Sequence, residues 1–148
     1  MKHMHLISHR GNIDGISKLE NQPDYIDSAI ELGYDVEVDI WYIGGKIYLG
    51  HDLGQYQIDI NWLNKRSDKL WIHCKNLQAS TELYRYRGFN YFFHDKDDYV
   101  LTSQGNVWTY PKPHNVFSYN QVLLDFYPKA IQSLVLFAYY LTNLILPQ

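Results

Sequence analysis

The sequence predicts an α/β fold in which short strands alternate with short helices. A first strand is predicted at residues 5–8 and a first helix at residues 25–32. A second strand follows at residues 36–41, where apolar and polar side chains alternate with the period of two that is typical of a strand. Strand, helix and strand in this order begin a parallel βαβ unit. The 148 residues are enough for one domain with its own core.

The predicted helix has a signal at each end. Asp24 can cap its amino terminus, and Gly33 can end it because glycine readily takes the left-handed conformation that follows many helices. Ile26, Ala29 and Ile30 recur at helical spacing and would form its apolar face. We therefore expect this helix to pack against the first two strands.

Two carboxylates lie on one face of the second predicted strand. Glu37 and Asp39 are two residues apart, so their side chains project to the same side, roughly 7 Å apart along the strand. Like charges this close repel unless a cation, a proton or a basic side chain lies between them. The pair therefore indicates a metal site or acid–base chemistry, against the plainer alternative of a solvated hairpin.

A β-hairpin is predicted where Gly44 and Gly45 separate two alternating apolar runs. Two-residue hairpin turns require positive φ angles, which glycine adopts without strain. Counting outward from this turn, Ile40 should pair with Leu49. The simplest register then carries residue 52 opposite residue 37, whereas a bend at Gly50 would carry residue 51 onto the carboxylate face. The sequence leaves both arrangements open.

Polar residues also follow the other predicted strands. His9 and Arg10 come directly after the first strand, and His73 and Lys75 share one face of a third strand at residues 70–75. The carboxyl ends of parallel strands meet at one edge of a sheet, where functional groups gather. We therefore expect these side chains at one edge, although a His-Arg-Gly tripeptide taken alone is common in surface loops.

A fourth aromatic strand at residues 89–93 leads into His94, which is either a substrate contact or a loop residue. Trp108 and Tyr110 belong to a further predicted strand. They could form the floor of an apolar pocket for glycerol or another alcohol group, or they could belong to the core.

Charge and cysteine content exclude several classes of protein. The net charge is −3 and no basic stripe is present, so nucleic acid is not an expected partner. Cys74 is the only cysteine, which rules out an internal disulfide and fits a reducing compartment. No apolar leader precedes the first strand, so we expect a cytoplasmic protein.

The segment at residues 130–148 is apolar and carries no charged side chain. Its apolar run at residues 131–146 is short for a membrane span and includes Gln132, Ser133, Thr142 and Asn143, so a membrane anchor is not expected. We predict a helical turn at residues 121–126 and then a terminal helix that is buried or faces a partner. This segment, or a second copy of the chain in a homo-oligomer, could cover an open edge of the sheet.

The order of the motifs resembles the glycerophosphodiester phosphodiesterase family over roughly the first third of the chain. The matching motifs are HRG at residues 9–11, EN at residues 20–21, EVD at residues 37–39 and HD at residues 51–52. The third strand resembles the family's Glu-x-Lys ending, but His73 stands where the family has glutamate. Lys75 is retained.

The resemblance implies a metal-assisted hydrolase that acts on a small phosphodiester of the glycerophosphodiester type. It implies that His9 and His51 are the general acid–base pair. The other roles that it implies are phosphate contact by Arg10 and Lys75 and binding of a divalent metal by Glu37 and Asp39. The alternative function is a catalytically degraded relative that binds a phosphorylated glycerol or sugar.

The metal expected from the resemblance is Mg²⁺, Ca²⁺ or Mn²⁺, with His73 and Asp52 as further candidate ligands. Imidazole binds Mn²⁺ or Zn²⁺ well, whereas Mg²⁺ and Ca²⁺ prefer oxygen. His73 therefore admits Zn²⁺ as well, unless it merely fills the end of its strand.

Members of the family are built as TIM-type barrels. A complete barrel of eight units needs about 250 residues, so a chain of 148 residues has room for roughly five units. The predicted fold is therefore a reduced or partial TIM-type (β/α) barrel, with mostly parallel strands and a β-hairpin excursion after the second strand. We expect residues 1–148 to form a single domain.

Overall fold

The computed structural model describes residues 4–97, 99–109, 120–124 and 135–140. Within these ranges the chain forms one ten-stranded sheet and three helices. The strands are β1 (Met4–His9), β2 (Asp35–Ile43), β3 (Lys46–Leu49), β4 (Tyr56–Ile58), β5 (Leu70–Cys74), β6 (Asn90–Phe93), β7 (Tyr99–Leu101), β8 (Val107–Thr109), β9 (Asn120–Leu124) and β10 (Val135–Tyr140). The helices are α1 (Pro23–Glu31), α2 (Ile60–Asn64) and α3 (Leu77–Tyr84).

The sheet is mixed, and the predicted TIM-type barrel with mostly parallel strands is wrong. Pairs β1–β2, β2–β5, β5–β6 and β8–β9 are parallel. Pairs β2–β3, β3–β4, β7–β8, β1–β10 and β9–β10 are antiparallel. A TIM barrel needs a helical crossover after each strand. Residues 102–106 between β7 and β8 are too few for such a crossover and give an antiparallel pair instead.

The part of the sheet that carries the predicted site is parallel. Strands β1, β2, β5 and β6 are neighbours in that order, with α1 between β1 and β2 and α3 between β5 and β6 along the chain. The βαβ unit predicted at the start of the chain is therefore present. Because these four strands are parallel neighbours, their carboxyl ends lie along one edge of the sheet.

The predicted hairpin is confirmed in its turn and its register. Gly44 and Gly45 have φ angles of 57° and 80°, and Ile40 pairs with Leu49. The pairing continues one residue further, because the N–H of Gly50 donates to the carbonyl of Asp39 at 3.1 Å.

Both faces of β2 are covered, which places its two carboxylates inside the protein. Val36, Val38 and Ile40 are buried in a core cluster that includes Ala29 of α1 and Leu83 of α3. A second buried cluster consists of Ile7, Trp71, Phe92 and Trp108. Trp108 is thus a core residue.

Helix α1 begins earlier than predicted. Gln22 is the N-cap residue, Pro23 begins the helix and Asp24 lies in its first turn, so the predicted cap at Asp24 is wrong. Proline suits the first helical position because its φ angle is already helical and its missing N–H would have had no partner there.

The helices predicted near the carboxyl terminus are wrong wherever the structure describes that region. Residues 120–124 form β9 rather than a helical turn, and residues 135–140 form β10 inside the predicted terminal helix. Strand β10 pairs with β1 and so covers a strand edge that would otherwise be open. The rest of the 130–148 segment and Tyr110 lie outside the described residues. None of the helices in the described ranges is long and apolar enough to span a membrane.

Candidate functional site

Three neighbouring parallel strands bring the predicted site residues together. The register pairs His9 of β1 with Glu37 of β2, and Asp39 of β2 with His73 of β5. The Nε2 atom of His9 lies 3.7 Å from Oε2 of Glu37, and Nδ1 of His73 lies 3.0 Å from Oδ1 of Asp39. Residues far apart in the sequence therefore meet because their strands end at one edge.

Glu37, Asp39 and His73 could hold a metal ion. Each offers one ligand atom, and these atoms lie within 4.8 Å of one another. The side chain of Glu37 is 3% exposed, and its buried Oε2 atom has no hydrogen-bond partner. A buried acceptor without a partner destabilises the folded protein, and a bound cation would supply the missing partner. The residues present therefore fit a divalent metal ion.

Two cationic side chains also contact Asp39. Arg10 Nε lies 2.8 Å from Asp39 Oδ2 and forms an ion pair that lacks the alignment of a hydrogen bond. Lys75 Nζ lies 3.7 Å from Asp39 Oδ1. The backbone N–H of Lys75 donates to the carbonyl of Ile40, which fixes where its side chain leaves the sheet edge.

A loop after β1 holds Asp39 from the other side. The Asn21 side-chain amide donates to Asp39 Oδ2, and the Asp39 backbone N–H donates to Asn21 Oδ1, both at 2.9 Å. Glu20 binds Arg10 at 3.0 Å and Asn12 at 2.6 Å. Glu20 and Asn21 were not among the site residues predicted from the sequence. The signal in the sequence was the EN motif at residues 20–21. The loop also needs a left-handed φ of 62° at Asn21, which asparagine tolerates.

The environment drives the pKa values of the two carboxyl groups apart. Burial raises the pKa of Glu37 well above its ordinary value, and the charge of Asp39 raises it further. Burial alone would also raise the pKa of Asp39, but the hydrogen bond from His73 and the charge of Arg10 outweigh it, and its pKa falls below the ordinary range. Asp39 is therefore the carboxyl group of the pair that ionises more readily.

His9 is held in its neutral form. Burial and the neighbouring Arg10 guanidinium lower the pKa of His9 to about 4, with a smaller contribution from the positive charge of His51. A neutral imidazole at physiological pH is the form that can accept a proton.

The chain bends at residues 51–53, after the hairpin, and this turns Asp52 into solvent instead of against Glu37. Gly50 has a φ angle of 147°, and a Cβ atom at this position would collide with the carbonyl of Leu53. The side chain of Asp52 is 87% exposed and bonds to His51 Nδ1 at 2.6 Å. Among the described residues, Asp52 does not belong to the group that could hold a metal.

The remaining candidates divide between the site and the core. The ring of His94 stacks on that of His73, with centroids 4.9 Å apart, and so lies at the same edge. Burial and the charges of His73 and Lys75 lower the pKa of His94. Trp108 packs on Phe92 at 4.6 Å, inside the buried cluster described above.

A separate polar cluster lies at the opposite, amino-terminal ends of the strands. Asp35 at the start of β2 is buried and contacts His5 Nδ1 at 2.6 Å, Lys69 Nζ at 3.2 Å and Trp71 Nε1 at 3.3 Å. This cluster provides a lysine–aspartate pair that is remote from the candidate site.

No family model, curated protein or solved structure matches the chain.

Proposed function

We propose that the protein is a metal-assisted hydrolase of a small phosphodiester of the glycerophosphodiester type. One observation carries this proposal: a neutral histidine, a candidate metal-ligand group and two cations converge at one sheet edge. A phosphodiester is an anion whose transition state gathers more negative charge on its oxygens, and cationic groups and a metal ion stabilise that charge.

Glu37, Asp39 and His73 would hold the divalent ion. When bound, the ion supplies Lewis-acid stabilisation of charge on the phosphate oxygens. One nitrogen and two carboxylate ligands favour Mn²⁺ or Zn²⁺ over Mg²⁺ or Ca²⁺, which prefer all-oxygen sites.

Arg10 and Lys75 would bind the phosphate group. Both side chains are 17% exposed, so their cationic groups can reach a ligand at the surface while remaining partly desolvated. Hydrogen bonds from charged donors to phosphate are short and strong, and the guanidinium group can bind two oxygens at once.

His9 and His51 would move the protons. Neutral His9 removes the proton from the attacking hydroxyl, which is a neighbouring hydroxyl of the substrate itself and gives a cyclic phosphate. The bond from phosphorus to the leaving alcohol oxygen then breaks, and His51 donates a proton to that oxygen. Water then attacks the cyclic phosphate: His51 takes a proton from the water, and His9 returns its proton to the substrate oxygen that leaves phosphorus, which completes the hydrolysis. His51 is 42% exposed and is held by Asp52 through Nδ1, so its other ring nitrogen is left for this role.

A protein that binds a phosphorylated glycerol or sugar without hydrolysing it is the second candidate. Both carboxylate oxygens of Asp39 are already engaged by Arg10, Asn21, His73 and Lys75. Such a network of mutual contacts could hold the site together without a metal.

The test is hydrolysis of glycerophosphocholine, whose glycerol carries a hydroxyl next to the phosphodiester, by protein treated with EDTA and reloaded with Mg²⁺, Ca²⁺, Mn²⁺ or Zn²⁺. We expect one metal to restore turnover and His51→Ala to abolish it without changing the circular dichroism spectrum. The matched control is His5→Gln, at the opposite end of β1, which should retain turnover. Binding of glycerol phosphate without turnover would favour the second candidate, and absence of both would exclude the two together.

A further inference from the structure

The starting point is that Asp39 has competing roles. It belongs to the group that could hold a metal ion, yet it is also the carboxylate that Arg10 and Lys75 contact. A side chain that is neutralised by two cations is a poorer ligand for a third cation until at least one of them moves away. Metal binding and the position of these cations are therefore linked.

The two cations are not held equally. Arg10 contacts Asp39 at 2.8 Å and is tied by a hydrogen bond of 3.0 Å to Glu20, so its guanidinium has a second anchor. Lys75 Nζ lies 3.7 Å from Asp39, which is beyond hydrogen-bond distance. Its flexible four-carbon stem makes Lys75 the cation that can change partners.

The charges show why a partner change would matter. A divalent ion arriving alone meets the positive charges of Arg10 and Lys75, and an oxyanion arriving alone meets the negative charge of Asp39. When both are present, the metal can neutralise Asp39 while the lysine neutralises the oxyanion. All four charges then have an opposite partner inside a partly buried site.

We propose that Lys75 exchanges partners from Asp39 to the bound phosphate group, and that this exchange makes the metal ion and the phosphate bind cooperatively. The inference rests on the proposed function, because it assumes a phosphate ligand and a divalent ion at this site. Thermodynamic linkage requires that each ligand strengthens the binding of the other by the same factor.

The direct test measures the affinity for Mn²⁺ by calorimetry at one fixed pH, in EDTA-treated and dialysed protein. The titration is carried out with and without dimethyl phosphate, an inert phosphodiester that forms only weak complexes with Mn²⁺. We expect dimethyl phosphate to lower the Kd for Mn²⁺ about tenfold, which lies within the usual range of coupling between sites.

The variant Lys75→Met distinguishes partner exchange from simple attraction between the two ligands. Without the lysine, Mn²⁺ should bind more tightly than in the wild type when no dimethyl phosphate is present, because a competitor for Asp39 is gone. The coupling factor, which is the Kd for Mn²⁺ without dimethyl phosphate divided by the Kd with it, should fall toward one. Lys75→Gln provides the same comparison if the methionine variant folds poorly.

The matched control is Lys69→Met, which removes a lysine of similar type from the buried Asp35 at the other end of the strands. It should keep the coupling factor of the wild type. A wild-type factor near one, an undiminished factor in both Lys75 variants, or no binding of Mn²⁺ would each overturn the inference. Coupling without turnover would support it while pointing to the binding protein, and turnover without coupling would overturn the inference alone.

Discussion

Asn21 and Asp39 hold each other through two hydrogen bonds across 18 residues of sequence. The amide of Asn21 donates to Asp39 Oδ2, and the backbone N–H of Asp39 donates to Asn21 Oδ1. Both residues are fully buried. The pair ties the loop after β1 to the middle of β2 and fixes which way the Asp39 carboxylate faces.

We expect Asn21→Gly to lower the free energy of unfolding by about 1–3 kcal/mol, because it leaves a buried N–H and a buried carboxylate oxygen without these partners. Glycine keeps the left-handed conformation without strain. Asn21→Ala should cost about 1 kcal/mol more, since the φ angle of 62° disfavours a side chain with a Cβ atom. Urea unfolding in EDTA at neutral pH measures both losses. Equal stability of the glycine variant and the wild type would contradict the contribution of this pair.

We expect His73→Glu to change which metal the site prefers. The variant replaces a nitrogen ligand by a third carboxylate beside Glu37 and Asp39, so Mg²⁺ and Ca²⁺ should gain affinity relative to Zn²⁺. Competition titrations with a fluorescent metal indicator give the ratio of affinities. The control is His94→Gln, because His94 stacks on His73 but lies outside the ligand group found among the described residues. An unchanged ratio in His73→Glu would show that His73 is not a ligand.

The predictable part of the site lies in local patterns. Period two places Glu37 and Asp39 on one face, and the Gly44–Gly45 turn fixes the hairpin register, so both followed from the sequence. The positions of His9 and His73 followed from the rule that parallel strands end at a common edge. The bend at Gly50 was one of two arrangements that the sequence left open, because it depends on how closely the carbonyl of Leu53 approaches.

Apart from the helix cap at Asp24, the wrong predictions concern contacts between distant parts of the chain. A short apolar run does not distinguish a buried helix from a buried strand, and residues 135–140 become β10 because β1 offers a free edge. The barrel was expected from a family resemblance and from chain length. Neither of these indicates the antiparallel pairing of β7 with β8. Strand pairing of this kind is decided by the whole sheet, which no local pattern describes.

We expect His9 to stay neutral down to mildly acidic pH in protein freed of metal by EDTA. Its pKa is lowered from 6.5 to about 4 in the folded state. Between these values the unfolded chain binds a proton that the folded chain does not, so stability falls as the pH falls from 6.5 toward 4. The full difference in pKa corresponds to about 3 kcal/mol.

Two measurements check this expectation for His9. The NMR signals of its imidazole ring should show no titration between pH 7.5 and pH 5. In His9→Gln, the free energy of unfolding in urea should fall less steeply as the pH is lowered. Comparing the two proteins isolates His9, because the raised pKa of Glu37 affects stability with the opposite sign and is present in both. A midpoint near the ordinary histidine value would contradict the burial described here.

Cys74 should behave as an inert core thiol that weakens the fold only at alkaline pH. Burial raises its pKa from 9.0 to about 12. Above pH 9.0 the unfolded chain loses a proton that the folded chain keeps, so stability falls as the pH rises toward 12. Cys74→Ala should remove this alkaline loss, and it should lower stability at neutral pH because it leaves a cavity in the core cluster.

The thiolate is the form of cysteine that reacts with an aromatic disulfide reagent. At pH 8 the native protein should therefore react only as fast as the core around Cys74 opens, whereas protein unfolded in urea should react at once. Rapid labelling of the native protein would show that Cys74 is accessible. It would then follow that β5 does not pack against α3 in the way that buries Cys74, Ala79 and Leu83 together. Because β5 also carries His73, the same result would remove the structural support for the metal-ligand group.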